Sequence, residues 1–331
     1  MPPTPTHPSA SSLPPPPPRS VLPPPPPMSS LAPPPDRPNA TWWRWIRRIH
    51  VVALAIAIPV GLFLGFGAAG GIVGLFVVVV PFEKMFKRHP YKIRRPGLRT
   101  DLTYALVNPV LEVVGLVVGA IIAVAMVPLW LPMLLLAPLV TAQPAWLQVV
   151  EAALLLDILI YWTHRLGHEV PLFWRFHSVH HSSKRLDWIS GIRVHPFDGV
   201  IIAVPAVMLL AAGFDFEVVG VFAVIQALIG LFAHANVRWR LRPLHKIVMT
   251  PEFHHWHHSN HPEAHCTNYS VFLPLWDIIG GTYYMPADRR PQIYGIDDPM
   301  PVSVPGQLLH PLRGIRPWLR HPFRGPAAVG S

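Results

Sequence analysis

An all-α integral membrane protein is the fold class this sequence predicts: apolar transmembrane helical hairpins carrying a cytoplasmic, histidine-rich helical cap that holds a dimetal site. Three observations predict it. Of 331 residues, 51% are hydrophobic and only 13% are charged, about half the ~25% charged share of an ordinary soluble domain. Several uncharged apolar runs approach or exceed the ~20 residues that a membrane-crossing helix needs. Fourteen of the 19 histidines fall between His164 and His265, in the clusters HRLGH, HSVHH and HHWHH; their i, i+3 and i+4 spacings place imidazoles on one helix face. The single cysteine excludes an internal disulfide and a thiolate-rich metal site. The net charge of +10 sits on basic residues that flank apolar spans, a pattern of membrane orientation and contact with anionic lipid. No basic stripe is interleaved with aromatics for stacking on bases, so no nucleic-acid partner is expected.

Residues 1–40 hold 18 of the 43 prolines, and such tracts read as an extended, disordered tail. Trp42, Trp43, Arg44, Trp45, Arg47 and Arg48 form the aromatic and basic collar of a membrane interface. Ile49 to Val80 carries no charge beyond His50. One helix of that length would measure ~48 Å, so a tilted span and a hairpin are both open. Seven Lys or Arg against two acids mark 82–101 as a cytoplasmic, surface-lying segment. Leu102–Val127 is long enough to cross, 128–145 with its four prolines suits a far-side turn, and Trp146–Trp162 returns to deliver His164. Pro196–Ala212 then goes out, Phe214–Glu217 turns, and Val218–Phe232 comes back to deliver His234. Every histidine cluster thereby lands on one side, at the mouth of two hairpins. From Pro286 onward Pro, Arg and Gly predict a loosely ordered tail, so the organised domain is expected over 41–285 and a C-terminal tail over 286–331.

Nine histidines are too many for one ion, since a tetrahedral site takes four protein ligands, or three with an open position. Two ions sharing His164, His168, His177, His180, His181, His234, His254, His257 and His258 match the number. Neutral imidazoles leave metal charge uncompensated, which calls for carboxylates behind them. Asp157 is the candidate: Asp157, Tyr161, His164 and His168 fall at i, i+4, i+7 and i+11, one stripe of one helix, and a carboxylate in an apolar span reads as functional.

The ordered series DILIYWTHRLGH (Asp157–His168), WRFHSVHHS (Trp174–Ser182), IRVHP (Ile192–Pro196), FAHANVR (Phe232–Arg238), TPEFHHWHHS (Thr250–Ser259) and TNYSVFLPLWDIIGGTY (Thr267–Tyr283) resembles the membrane fatty acid hydroxylase / sterol desaturase family, over roughly residues 85–285. The resemblance implies a non-haem di-iron centre with the nine histidines as ligands, and with His195 as a ligand or a residue behind the ligands. It also implies dioxygen as co-substrate and hydroxylation or desaturation of an unactivated C–H of a membrane lipid, an acyl chain or a sterol-like molecule. Neither a haem-attachment CxxCH nor a GxGxxG nucleotide loop is present, so electrons are expected from a separate donor protein, cytochrome b5-like or ferredoxin-type. The family usually has Asn-Tyr-Gly where this chain has Asn268, Tyr269 and Ser270, which bears on the turn there.

Asn236, His265 and Asn268 join Asp157 and Tyr161 as residues expected close behind the ligands. His255 lies ~100° round the helix from its neighbours, so it is read as a surface or supporting residue. His245 is read as structural, and His7, His50, His89, His310 and His321 as isolated surface groups. Two rival classes use imidazole as well. A metal transporter or store would place its ligands near mid-membrane, and a zinc-dependent lipid hydrolase would need only three or four ligands and a general base.

Overall fold

The computed structural model describes residues 79–91 and 94–315. The expectations for the proline tract, the Trp/Arg collar, the apolar run to residue 78, and His7, His50 and His321 lie outside them. Helix α1 (Leu98–Ala125) starts after Gly97, whose φ of 85° is open to glycine, and runs for 28 residues. It bends by 64° between Leu98–Asn108 and Val113–Ala125, at a break that begins with a proline, whose missing N–H interrupts the helical ladder. Short helical turns occupy Val127–Thr141, where a turn was expected. Helix α2 (Ala145–Glu169) has 25 residues, ~37 Å of rise, and its low charge makes it long and apolar enough to cross a membrane. Helix α3 (Pro171–His181) follows after a one-residue break, with proline at its first position where no N–H is needed.

The second predicted hairpin is asymmetric. Its returning leg, α5 (Phe216–Ala233), is apolar and 18 residues long, with Asp215 capping its first turn. Its outgoing leg, α4 (Gly199–Ala211), has only 13 residues, ~20 Å of rise, too short to cross alone. The cause is local. His195 and Asp198 cap a separate turn at Pro196–Asp198 before the helix begins. Helix α4 is instead clasped by α1: a Cβ on Gly119 would lie 2.4 Å from that of Ala203, and one on Gly115 only 2.6 Å from the Pro196 carbonyl. Small residues four apart allow such backbone approach between membrane helices.

Leu156, Ile160, Leu209, Phe214 and Val219 form the core shared by α2, α4 and α5. Outward, α1, α2 and α5 present Leu106, Ile121, Leu155, Val221 and other large apolar side chains to the surroundings, the pattern of helices meant for lipid. No β-strand occurs among the described residues, only two isolated bridges.

At the end where α2 and α5 deliver their histidines, the packing turns polar. Arg95 bridges Asp187 (2.5 Å) and Asp101 (2.8 Å), Arg193 pairs with Asp101 (2.5 Å), and all four residues are buried. The quartet ties the start of α1 to the loop 187–195. Helix α6 (Pro251–His257), capped by the Thr250 hydroxyl, packs against α5. The chain after Pro286 corrects an expectation. Instead of a loose tail it packs on the cap as far as residue 315, burying Tyr294, Val304 and Gln307, with Arg290 reaching Glu252.

Candidate metal centre

Helices α2 and α3, the end of α5, and α6 bring all nine predicted histidines together, in two groups. His164, His168, His177, His181 and His257 form one, and His180, His234, His254 and His258 the other; within each, one ring nitrogen per residue lies within 4.8 Å of all the rest. The groups adjoin through His181 and His258, whose rings stack at 4.2 Å.

Hydrogen bonds at the back of the rings set which nitrogen faces inward. Nδ1 of His164 lies 2.7 Å from the Tyr269 carbonyl, that of His180 3.0 Å from Arg193, that of His234 2.7 Å from Gly230, and that of His257 2.9 Å from Thr267. A carbonyl only accepts, so each Nδ1 carries the proton and each Nε2 presents a lone pair. His177 donates its Nδ1–H to Asp198 at 3.0 Å. Burial, aided by neighbouring imidazoles, pushes His180, His181, His254 and His258 well below the ordinary histidine value. Burial lowers His257 to about 3 and His234 to about 4, so these rings are neutral at pH 7.

The Nε2 atoms nevertheless crowd one another: 3.1 Å for His164–His177, 3.2 Å for His180–His234, and 3.0–3.1 Å among His234, His254 and His258. For His164–His177 and His180–His234, both protons are held at Nδ1, so lone pair meets lone pair. Such contacts repel unless a cation lies among them. Nitrogens ~2.0–2.1 Å from one ion at tetrahedral or octahedral angles stand roughly 2.9–3.4 Å apart, which matches the spacing found. Nε2 of His168, His181 and His257 has no hydrogen-bond partner although buried. The donor set thus fits metal ions, and an all-imidazole set suits Fe, Zn, Cu or Ni.

The supporting residues differ from those the sequence suggests. Asp157 touches no histidine: its carboxylate accepts from Gln226 (3.2 Å), the Leu273 amide (3.0 Å) and the Trp276 indole (2.7 Å), tying α2 to α5 and to the 273–276 loop. The carboxylate that does hold a ring is Asp198, which the sequence reading missed; its one signal is a position three after His195, in HPFD. His195 lies outside both groups and caps the 196–198 turn, its Nδ1 accepting from the Phe197 amide. Tyr161 bonds Thr282 and Arg165. Asn236 clasps the backbone of His89 through both ends of its amide. Asn268 takes a left-handed φ of 59° and bonds Phe253 and Tyr284; Ser270 does not, so no glycine is needed there. His265 is exposed, at the rim of a cavity against the five-histidine group.

His255 is fully buried rather than at the surface, outside both groups and within reach of Arg88 and the Tyr294 hydroxyl. His89 is also packed, against Tyr91 and Tyr294. His245 is buried, its ring on the Arg240 carbonyl.

The chain is similar to known proteins over its histidine-bearing region. The family model described as fatty acid hydroxylase matches residues 149–282, which contain all nine histidines. An ornithine lipid hydroxylase of Rhizobium tropici is 36% identical over 51% of this chain and 51% of its own length. The alkylglycerol monooxygenase of Danio rerio is 31% identical over 44% of this chain and 32% of its own. A very-long-chain aldehyde decarbonylase of Oryza sativa is 31% identical over 38% and 21%. The chain therefore spans about half the length of the first relative and about a third or less of the others. No solved structure matches.

Proposed function

We propose, from the match of residues 149–282 to the fatty acid hydroxylase family model, that the chain is a membrane-bound, dioxygen-dependent lipid hydroxylase whose nine gathered histidines hold two iron ions. The observation that carries this reading is the pair of adjoining all-imidazole groups, in each of which one ring nitrogen per histidine lies within 4.8 Å of all the others. The relatives' names, a lipid hydroxylase and a monooxygenase among them, favour oxygen insertion over desaturation.

Two iron ions, when bound, supply the reduction of dioxygen that places one oxygen atom in an unactivated C–H bond. The balance takes the lipid, dioxygen, two electrons and two protons to an alcohol and water, and a separate donor protein provides the electrons. The chain's own residues do the rest. The carbonyls of Tyr269, Arg193, Gly230 and Thr267 keep four rings in the tautomer that binds metal. Asp198 adds negative charge behind His177, raising its strength as a ligand. Trp174 and Tyr269, with ring centres 5.0 and 5.2 Å from His168, wall the five-histidine group and limit water there. The outward apolar helices carry the site to the membrane surface, with the histidine cap on the cytoplasmic face.

The test is purification in detergent under anaerobic conditions, with metal analysis and turnover of membrane lipids under ¹⁸O₂. Two iron ions per chain and a lipid product heavier by one labelled oxygen are expected. Firmly bound zinc without dioxygen-dependent turnover overturns the reading, and a product lighter by two hydrogens makes the enzyme a desaturase.

A further inference from the structure

We propose that the cavity beside the five-histidine group receives the cationic amine head group of the substrate lipid, with Asp297 and Asp298 as its anionic partners. The inference rests on the lipid hydroxylation proposed above and specifies the substrate class. The cavity measures about 310 Å³ and runs from His168, His181 and His257 on its inner wall to Asp297 and Asp298 at its mouth. That size is at the low end of the ~300–1,000 Å³ of small-molecule sites, so it suits a head group better than an acyl chain. On the inner wall, His181 and His257 are 4% and 5% exposed, and their Nε2 atoms have no hydrogen-bond partner. The reacting end of the cavity is thus built and buried.

The outer end is built for a cation. Asn260 donates to Asp297 at 2.7 Å and orients one carboxylate, while Asp298 makes no hydrogen bond or ion pair to the described residues. The other polar groups nearby are Trp174, Ser259, His265 and Cys266 in the lining, His310, which interacts electrostatically with Asp298, and Lys184, whose ammonium donates to the Ile296 carbonyl at 2.6 Å. Two neighbouring carboxylates at a mouth run against the field of a chain with 27 Lys and Arg to 17 Asp and Glu. Exposed carboxylates attract an ammonium, are indifferent to a neutral glycerol and repel a phosphate. With the amine held at the mouth and the metals at the inner wall, the C–H presented for oxidation lies in the head group or close to it, not far along a chain.

The experiment uses the full-length metal-loaded protein in nonionic detergent. It compares dissociation constants for three single-chain lipids with one acyl chain and different heads: a primary ammonium, a neutral glycerol and a phosphate. The ammonium lipid is expected to bind about tenfold tighter than the glycerol lipid, with the preference shrinking as salt rises. Asp297→Asn with Asp298→Asn should abolish the preference, leaving metal content and glycerol-lipid binding unchanged. Asp298→Lys alone should turn it toward the phosphate head. Equal binding of ammonium and glycerol lipids by the unaltered protein, tightest binding of the phosphate lipid, or a preference that survives the double substitution overturns the inference. Absence of iron and of labelled product strikes the hydroxylase reading instead, and leaves head-group binding measurable on its own.

Discussion

Gly191→Ala puts the geometry of the four-histidine group under direct test. A Cβ at residue 191 would stand 2.7 Å from Nδ1 and 2.8 Å from Cγ of His234. The ring cannot swing freely, because Nδ1 is anchored to the Gly230 carbonyl at 2.7 Å and Nε2 sits 3.0–3.2 Å from three other imidazoles. Opening 2.7 Å to an ordinary contact of 3.4 Å moves the ring by about 0.7 Å, well beyond the ~0.2 Å tolerance of a metal–ligand distance. Overpacking of this kind costs about 1–3 kcal/mol of stability, and loss of ligand support lowers metal affinity ~10–100-fold. The expected result is a folded protein that retains one metal ion per chain where the parent holds two, read by elemental analysis after titration with a chelator. Gly167→Ala is the control, since its Cβ would meet His177 only at 3.8 Å, and it should keep both ions. Two ions held at undiminished affinity in Gly191→Ala would refute the assignment of His234.

Asp198→Asn should weaken metal binding at the five-histidine group ~10–100-fold, whereas Asp157→Asn should leave metal affinity intact and lower the unfolding temperature; chelator titration and thermal melts of the two variants separate the roles. Burial and the nearby Asp187 raise Glu83 to about 8, so the folded state holds a proton that the unfolded chain releases near 4.5. Stability should therefore be greatest below pH 4.5 as far as this group is concerned, and decline as pH rises to about 8. Glu83→Gln keeps an acceptor for the Trp188 and Asn236 amides and should flatten that decline in melts between pH 5 and 9. Arg95→Met leaves the buried Asp187 without its cation while Asp101 keeps Arg193, and should destabilise the cap by about 3–5 kcal/mol, measured by denaturant unfolding of the detergent-solubilised protein.

Eight of the nine histidines were legible because ligands three and four apart on a helix leave a spacing that packing alone does not produce, and His234 because it ends an apolar span within the motif FAHANVR. The spans α2 and α5 were legible for a similar reason: length and apolarity are local properties of the chain. What escaped is set by tertiary contact. Asp198 reaches His177 across 21 residues of sequence, and no local pattern distinguishes it from Asp157, whose partners arrive from 69 to 119 residues away. Helix α4 reads as a span by composition, yet the cap at His195–Asp198 takes its first residues. The segment after Pro286 reads as a tail by its proline and arginine, and only the fold shows Tyr294 and Gln307 filling the cap. His255, one residue from a group member, reads by helical angle as a surface or supporting residue; the chain around Tyr294 covers it.

The two histidine groups share donors crosswise. His257 from α6 completes the set built by α2 and α3, and His180 from α3 completes the set built by α5 and α6. During synthesis the α2–α3 portion leaves the ribosome about seventy residues before α6, so it emerges with four of one set and a single member of the other. Neither set is whole until the HHWHH segment has folded back. Completion is thereby a single event: one short segment supplies the last ring of the first group and two of the four rings of the second, so a chain that stops short of α6 has neither group in full.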